Sequence, residues 1–217
     1  LSDTIDLNIL LYLAGVTILV ASIIALRSDN LKRRLAYSTI SQLSYVILAT
    51  ALLVPISIAG AALHILAHAF GKITLFFAAG SIYTATKKTE VSQLNGIGRT
   101  MPWTMLAFAI GSLSMIGVPP TVGFLSKWFI LQGALDVQSW FAVSIIVIST
   151  LLNAAYFLPI VYIAFFRDSE IKNDQGYCEA PFPIVFTVFS TACITIILFF
   201  FPETPLQLIR LLIGTAA

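Results

Sequence analysis

The 217 residues are 59% hydrophobic and only 10% charged, with a formal net charge of +2 and a mean hydropathy of +0.96. Soluble domains carry roughly a quarter charged residues, so this composition excludes a chain that covers a water-facing surface. The apolar residues come in runs of about 20, the length a helix needs to cross ~30 Å of hydrocarbon.

No short alternating segments of a membrane β-barrel are visible, which leaves helices as the way to satisfy the backbone in lipid. The first run covers 7–26 without a charge, and Arg27, Lys32, Arg33 and Arg34 close it. The second covers 35–53 and ends at Pro55; the third, 56–84, follows after a very short turn, so the two should be antiparallel neighbours. A polar linker at 85–100 holds Lys87, Lys88, Glu90 and Arg99. The fourth run, 101–135, is too long for one straight crossing, and Gly117, Pro119 and Pro120 interrupt it at 117–120. The fifth covers 140–166 with Asn153 and Pro159 inside it. A polar segment at 167–179 leads to a sixth run at 181–201 and a short tail at 206–213, which reads as an interfacial helix. The expectation is an all-α membrane protein, a single transmembrane domain over 1–217 with about six transmembrane helices, the fourth discontinuous. No basic leader precedes the first run, and the chain begins at Leu1 rather than Met, so an N-terminal portion is expected to be missing.

Six crossings gather the loops after the first, third and fifth on one face. That face receives Arg27, Lys32, Arg33, Arg34, Lys87, Lys88, Arg99, Arg167 and Lys172, and the opposite face only Arg210. The bias makes the basic face cytoplasmic and puts both termini outside, in a multi-pass protein of the cell (inner) membrane. With the basic residues confined to short loops, no nucleic-acid partner is expected.

Two of the twelve Lys and Arg residues remain, Lys72 and Lys127, and both fall inside apolar runs. A lysine at the bilayer centre costs ~2.5–3.5 kcal/mol, which makes each a candidate functional residue; snorkelling to the interface is the rival, stronger for Lys127 than for Lys72. His64, His68 and Lys72 follow at i, i+4 and i+8, one stripe along ~12 Å of helix. Neutral imidazole donates from one ring nitrogen and accepts at the other, so such a stripe can relay protons. Zinc would need a third ligand, and the runs offer no carboxylate and only a distant Cys193; hydrogen bonding of each histidine to a neighbouring helix is the remaining rival. Neither a metal nor a disulfide is expected, since Cys178 lies in a polar loop and Cys193 in an apolar run. Ser38, Ser41, Gln42 and Tyr45 share one face of the second helix, either to order water beside the stripe or to bind helices together.

In the fourth run, Pro119 and Pro120 remove two backbone donors, and Gly117 and Gly123 loosen the flanks. The carbonyls of Met115 and Ile116 then lose their helical partners. In lipid such a break must be surrounded by protein or a water-filled cavity, the setting in which transporters build ion sites. A simple proline kink is the plainer alternative.

Three motifs carry a resemblance: LKRRLAYSTISQLSY at 31–45, HILAHAFGK at 64–72 and GVPPTVGFLSK at 117–127. In this order they resemble the proton-conducting antiporter-like subunits shared by Mrp-type cation/proton antiporters and respiratory complex I. MPWTMLAF at 101–108 and NAAYFLP at 153–159 look most like the D component of the Mrp-type antiporters. The resemblance implies the C-terminal portion of such a protein: the second of two inverted five-helix repeats, with a broken fourth helix, plus one terminal helix. It implies Lys72 as the central relay, with His64 and His68 as its wire and Lys127 as the outlet toward the exterior. The first repeat, which supplies the family's Glu/Lys pair and cytoplasmic entry path, is absent, so either this is a fragment or a partner supplies that half. Implied partners are other membrane subunits of a multisubunit complex, the lipid bilayer, protons and a monovalent cation. No cofactor is expected, because no redox motif is present. The rivals are a proton-pumping membrane subunit of an NADH-quinone oxidoreductase or membrane hydrogenase, and a structural subunit that conducts nothing.

Overall fold

The computed structural model describes residues 2–168 and 178–213, all of them helical or in connecting turns apart from one isolated bridge between Asn30 and Glu90. Helix α1 spans Ser2–Arg27. Helix α2, Leu31–Ala51, starts where the Asn30 side chain accepts from the Arg33 amide at 3.0 Å, a cap for one of the donors a helix N-terminus leaves free. Pro55 opens α3, Pro55–Thr86, at the position where a missing N–H costs nothing. A short α4, Ile97–Thr100, precedes α5, Pro102–Ile116. The free amides of Trp103 and Thr104 at the start of α5 donate to the Glu179 carboxylate at 2.8 and 3.2 Å. Helices α6, Val122–Asp136, α7, Trp140–Phe166, α8, Phe182–Phe200, and α9, Glu203–Ile213, complete the chain.

The chain is an all-helical, multi-pass membrane protein. The Leu7–Arg27 part of α1, together with α3, α7 and α8, is long and apolar enough to cross a bilayer. Helix α2 falls short in apolarity because its first turn carries Lys32, Arg33 and Arg34 and its inner face carries hydroxyls and an amide. Helices α5 and α6 have 15 residues each, about 22 Å of helix, so neither crosses alone. The outer surface is apolar, with Trp140, Leu151, Phe182, Phe186 and Phe200 exposed, as lipid contact requires.

Helix α3 is the hub and packs against α2, α5, α6, α8 and α9, while α1 closes the other side against α2 and α7. On one face the loops after α1, α3 and α7 meet. The Leu31 amide donates to the Thr89 carbonyl at 2.9 Å, the Val91 amide to Asp29 at 2.8 Å, and Arg99 pairs with Asp168 at 2.9 Å. Lys172 and the side chain of Arg210 lie outside the described residues. Arg34 departs from expectation: counted among loop cations in the sequence, it is only 8% exposed. Helix α9, over the tail, docks on α3 with Ile209 buried in the cluster formed by Leu63, Ala67 and Val122.

Candidate functional site

The break between α5 and α6 sets the geometry. Gly117 ends α5 at φ +88°, a left-handed conformation that suits a residue without Cβ. Pro119 and Pro120 would have donated to the carbonyls four residues back, those of Met115 and Ile116. Lys127 fills both vacancies: its Nζ donates to the Met115 and Ile116 carbonyls, each at 2.9 Å. Gln42 of α2 also reaches the Met115 carbonyl, at 3.4 Å. The prolines themselves face outward and are exposed, so the break is enclosed on its inner side only. Having no N–H, they leave no unpaired donor facing lipid, while the Met115 and Ile116 carbonyls take their donors from Lys127 on the inner side. Helix α6 can lie this close because Gly123 has no side chain; a Cβ there would sit 1.8 Å from the Ser114 carbonyl oxygen. Gly123→Ala is therefore expected to destabilise the fold by about 3 kcal/mol, read as a lower melting temperature of the purified protein in detergent; an unchanged melting temperature contradicts this packing.

Lys72 is 6% exposed on α3 and turns toward α2, where Nζ donates to the Leu35 carbonyl at 2.9 Å and to the Ser38 hydroxyl. Ser38 donates onward to the Leu35 carbonyl at 2.9 Å. The Phe157 ring of α7 lies 6.0 Å from the ammonium. Each lysine thus has two acceptors. A neutral amine has two N–H groups and one lone pair, so either lysine can surrender a third proton and keep both hydrogen bonds.

Between the lysines lie the two histidines, His64 1% and His68 8% exposed, with ring centroids 6.4 Å apart. The His64 Nδ1 is 3.0 Å from Ser126 Oγ, the neighbour of Lys127 on α6. Ser126 uses its single hydroxyl proton on the Gly123 carbonyl at 3.0 Å. The hydrogen in the first contact must then come from His64, and its Nε2 is left as a buried lone pair without a partner. Nδ1 of His68 is likewise buried and unpartnered. Tyr45 completes the row: its ring lies 5.5 Å from that of His64 and 5.0 Å from the Lys127 Nζ, and its hydroxyl donates to Ser149 on α7 at 2.6 Å. The spatial order is Lys72, His68, His64, Tyr45 and Lys127.

Of the polar face on α2, Ser38 serves Lys72, Gln42 serves the broken helix and Tyr45 bridges His64 and Lys127. Ser41 does none of these and instead bonds Ser22 of α1 at 2.8 Å. His68 and Lys72 share no hydrogen bond, since Lys72 is held by α2. Sequence reading missed Ser126, Ser149 and Phe157, whose only signal is position beside a named residue or in an apolar run. A cleft of 220 Å³ between α6 and α7, lined by Phe124, Lys127, Trp128, Ile146 and Thr150 among others, reaches Lys127. A larger cleft of 710 Å³, lined by Trp103, Glu179, Phe182 and Phe186, lies at the start of α5 and contains none of these groups. Among the described residues no third His, Cys or carboxylate joins the two histidines in a metal-binding group.

Residues 2–153 match the transmembrane family described as NADH:quinone oxidoreductase/Mrp antiporter. The chain belongs to this family. Among curated relatives, NADH-quinone oxidoreductase subunit N of Desulforudis audaxviator is 42% identical over 177 residues, which are 82% of this chain and 35% of the relative. The fold also matches a chain of the membrane-bound sulfane sulfur reductase, an archaeal respiratory membrane complex, with TM-score 0.86 and 26% identity over 94% of this chain and 41% of that one. A chain of the Mrp complex from Dietzia sp. matches with TM-score 0.84 and 22% identity over 95% of this chain and 46% of that one, a likeness of fold. The family-level resemblance carried by the three motifs is thus upheld, and the chain spans less than half the length of these relatives.

Proposed function

We propose that this chain forms the proton-translocating portion of an antiporter-like subunit in a multisubunit membrane complex, of the cation/proton antiporter type. Protons pass from Lys72 through His68 and His64 to Lys127, and leave through the cleft between α6 and α7. The observation that carries the reading is the hydrogen-bond count at the lysines. Each holds two acceptors and so can give up a third proton, and the histidines between them each keep a buried ring nitrogen free. The neutral form keeps both hydrogen bonds and removes the cost of a charge in hydrocarbon. Loading and unloading Lys72 is therefore a change of charge without a change of fold. Ser38 holds Lys72, Gln42 reaches the Met115 carbonyl that Lys127 also binds, and the Tyr45 ring lies against His64 and Lys127; Gly117, Pro119, Pro120 and Gly123 create the acceptor pair for Lys127. The test is proton-coupled transport in inverted vesicles by lysine variants of the full-length protein, with substitution by Leu separating conduction from a purely structural subunit.

A second setting, the membrane arm of a respiratory oxidoreductase, is favoured by the subunit N relative. Co-purification of redox subunits distinguishes it, and the proton route is the same in both.

Six crossings follow if α5 and α6 together make one, and the basic loops then face the cytoplasm with both termini outside. A reporter fused near Lys88 is expected to read cytoplasmic and one fused after Ala217 exterior. Readings on the same side for both would sink the six-crossing arrangement.

A further inference from the structure

Arg34 takes no part in this route, yet it is the third buried Lys or Arg among the described residues. Its Nε donates to the Ser28 carbonyl at 2.8 Å, Nη1 to the Tyr156 carbonyl at 3.0 Å and Nη2 to the Leu26 carbonyl at 3.5 Å. All three acceptors are backbone, and among the described residues no carboxylate pairs with it. The neighbouring Asp29 carboxylate is occupied by the amide and hydroxyl of Ser92, at 3.1 and 2.6 Å. Leu26 and Ser28 lie at the end of α1 on the basic loop face. The acceptors of Lys72, Leu35 and Ser38, are the next residue and the next turn along α2. Tyr156 adjoins Phe157, whose ring faces the Lys72 ammonium. The guanidinium is therefore wedged where α1, α2 and α7 converge, between Lys72 and the loop face.

We propose that Arg34 is a fixed-charge seal, which bars protons from passing between Lys72 and the basic loop face and so directs a proton on Lys72 toward Lys127. Guanidinium stays charged at every working pH, so unlike Lys72 it cannot relay. In a low-dielectric setting its repulsion of a proton on nearby water is poorly screened, and pores exclude protons by this means. Three carbonyls, those of Leu26 on α1, Ser28 just past its end and Tyr156 on α7, hold the charge in place. Every group it hydrogen-bonds is a carbonyl, and the Asp29 carboxylate, bonded to Ser92, acts on it only at a distance, so the positive charge is partly offset and not paired.

This inference rests on the route proposed above. The test uses the full-length protein in its assembled complex, in sealed inverted vesicles, and measures how fast an imposed pH gradient collapses without driving cation. R34Q, normalised to assembled complex, is expected to leak about ten-fold faster than the parent. R34K, whose ammonium can release a proton where guanidinium cannot, should also leak, though more slowly than R34Q; an R34K leak faster than that of R34Q overturns the seal. The double variant R34Q/K72L should return to the parent rate, because the leak runs through Lys72; a leak that survives K72L means loosened packing and overturns the seal, as does a tight R34Q complex. If R34Q does not assemble, S28D leaves the guanidinium in place and adds a negative charge at the residue whose backbone carbonyl its Nε holds. It should leak to a similar degree, and a tight S28D complex overturns the proposal. K72A keeps the two ideas apart: normal transport by K72A defeats the route itself, whereas a dead K72A with a tight R34Q removes the seal alone.

Discussion

Lys72→Ala, in the full-length protein and its assembled complex, is expected to cut proton-coupled transport about a hundred-fold, in the range that loss of a positioned proton-transfer group costs, while assembly survives. Assembly should survive because the partners of Lys72 do not depend on it. Ser38 still donates to the Leu35 carbonyl, and that carbonyl belongs to a continuous stretch of α2. What disappears is the titratable group at the junction of α2, α3 and α7. His64→Ala and His68→Ala should cost less, about ten-fold, since a water or the other imidazole can bridge part of the gap. Gradient formation in inverted vesicles, per assembled complex, checks all three, and Lys72→Ala transport within about two-fold of the parent would contradict the route.

Lys127→Ala is expected to fail differently, losing transport and assembly together. Its ammonium satisfies the Met115 and Ile116 carbonyls that Pro119 and Pro120 leave without helical donors. Each buried carbonyl left bare costs about 1–3 kcal/mol, and Gln42 reaches only the first, at 3.4 Å. Lys127→Gln separates the two roles. Its amide can donate to a stranded carbonyl but cannot carry a proton along, so assembled protein should recover while transport does not. Recovery of transport with Gln would leave Lys127 a structural cap and nothing more.

The double duty of Lys127 was only half legible in the sequence. Which carbonyls lose their donors follows from counting four residues back from each proline, a local matter. That a lysine eleven residues onward returns to fill both places depends on α6 folding back beside α5, and so on Gly123 lying against Ser114. The stripe of His64, His68 and Lys72 was legible because helical spacing alone aligns it. Its connections were not: Ser126 and Ser149 are single hydroxyls in apolar runs and acquire meaning only when α6 and α7 meet Tyr45 and His64. The burial of Arg34 was not legible for a related reason. It stands in the first turn after the Asn30 cap beside two surface cations, and only the convergence of α1 and α7 on that turn buries it.

The most direct measurement is proton-coupled transport by Lys72→Arg in the full-length, assembled protein. Arginine retains the positive charge and can donate to the Leu35 carbonyl and the Ser38 hydroxyl, but it does not release a proton at any working pH. If Lys72 serves by giving up its third proton, the variant should assemble normally and transport as poorly as Lys72→Ala. Near-normal transport by Lys72→Arg would contradict the relay and leave Lys72 as a fixed charge.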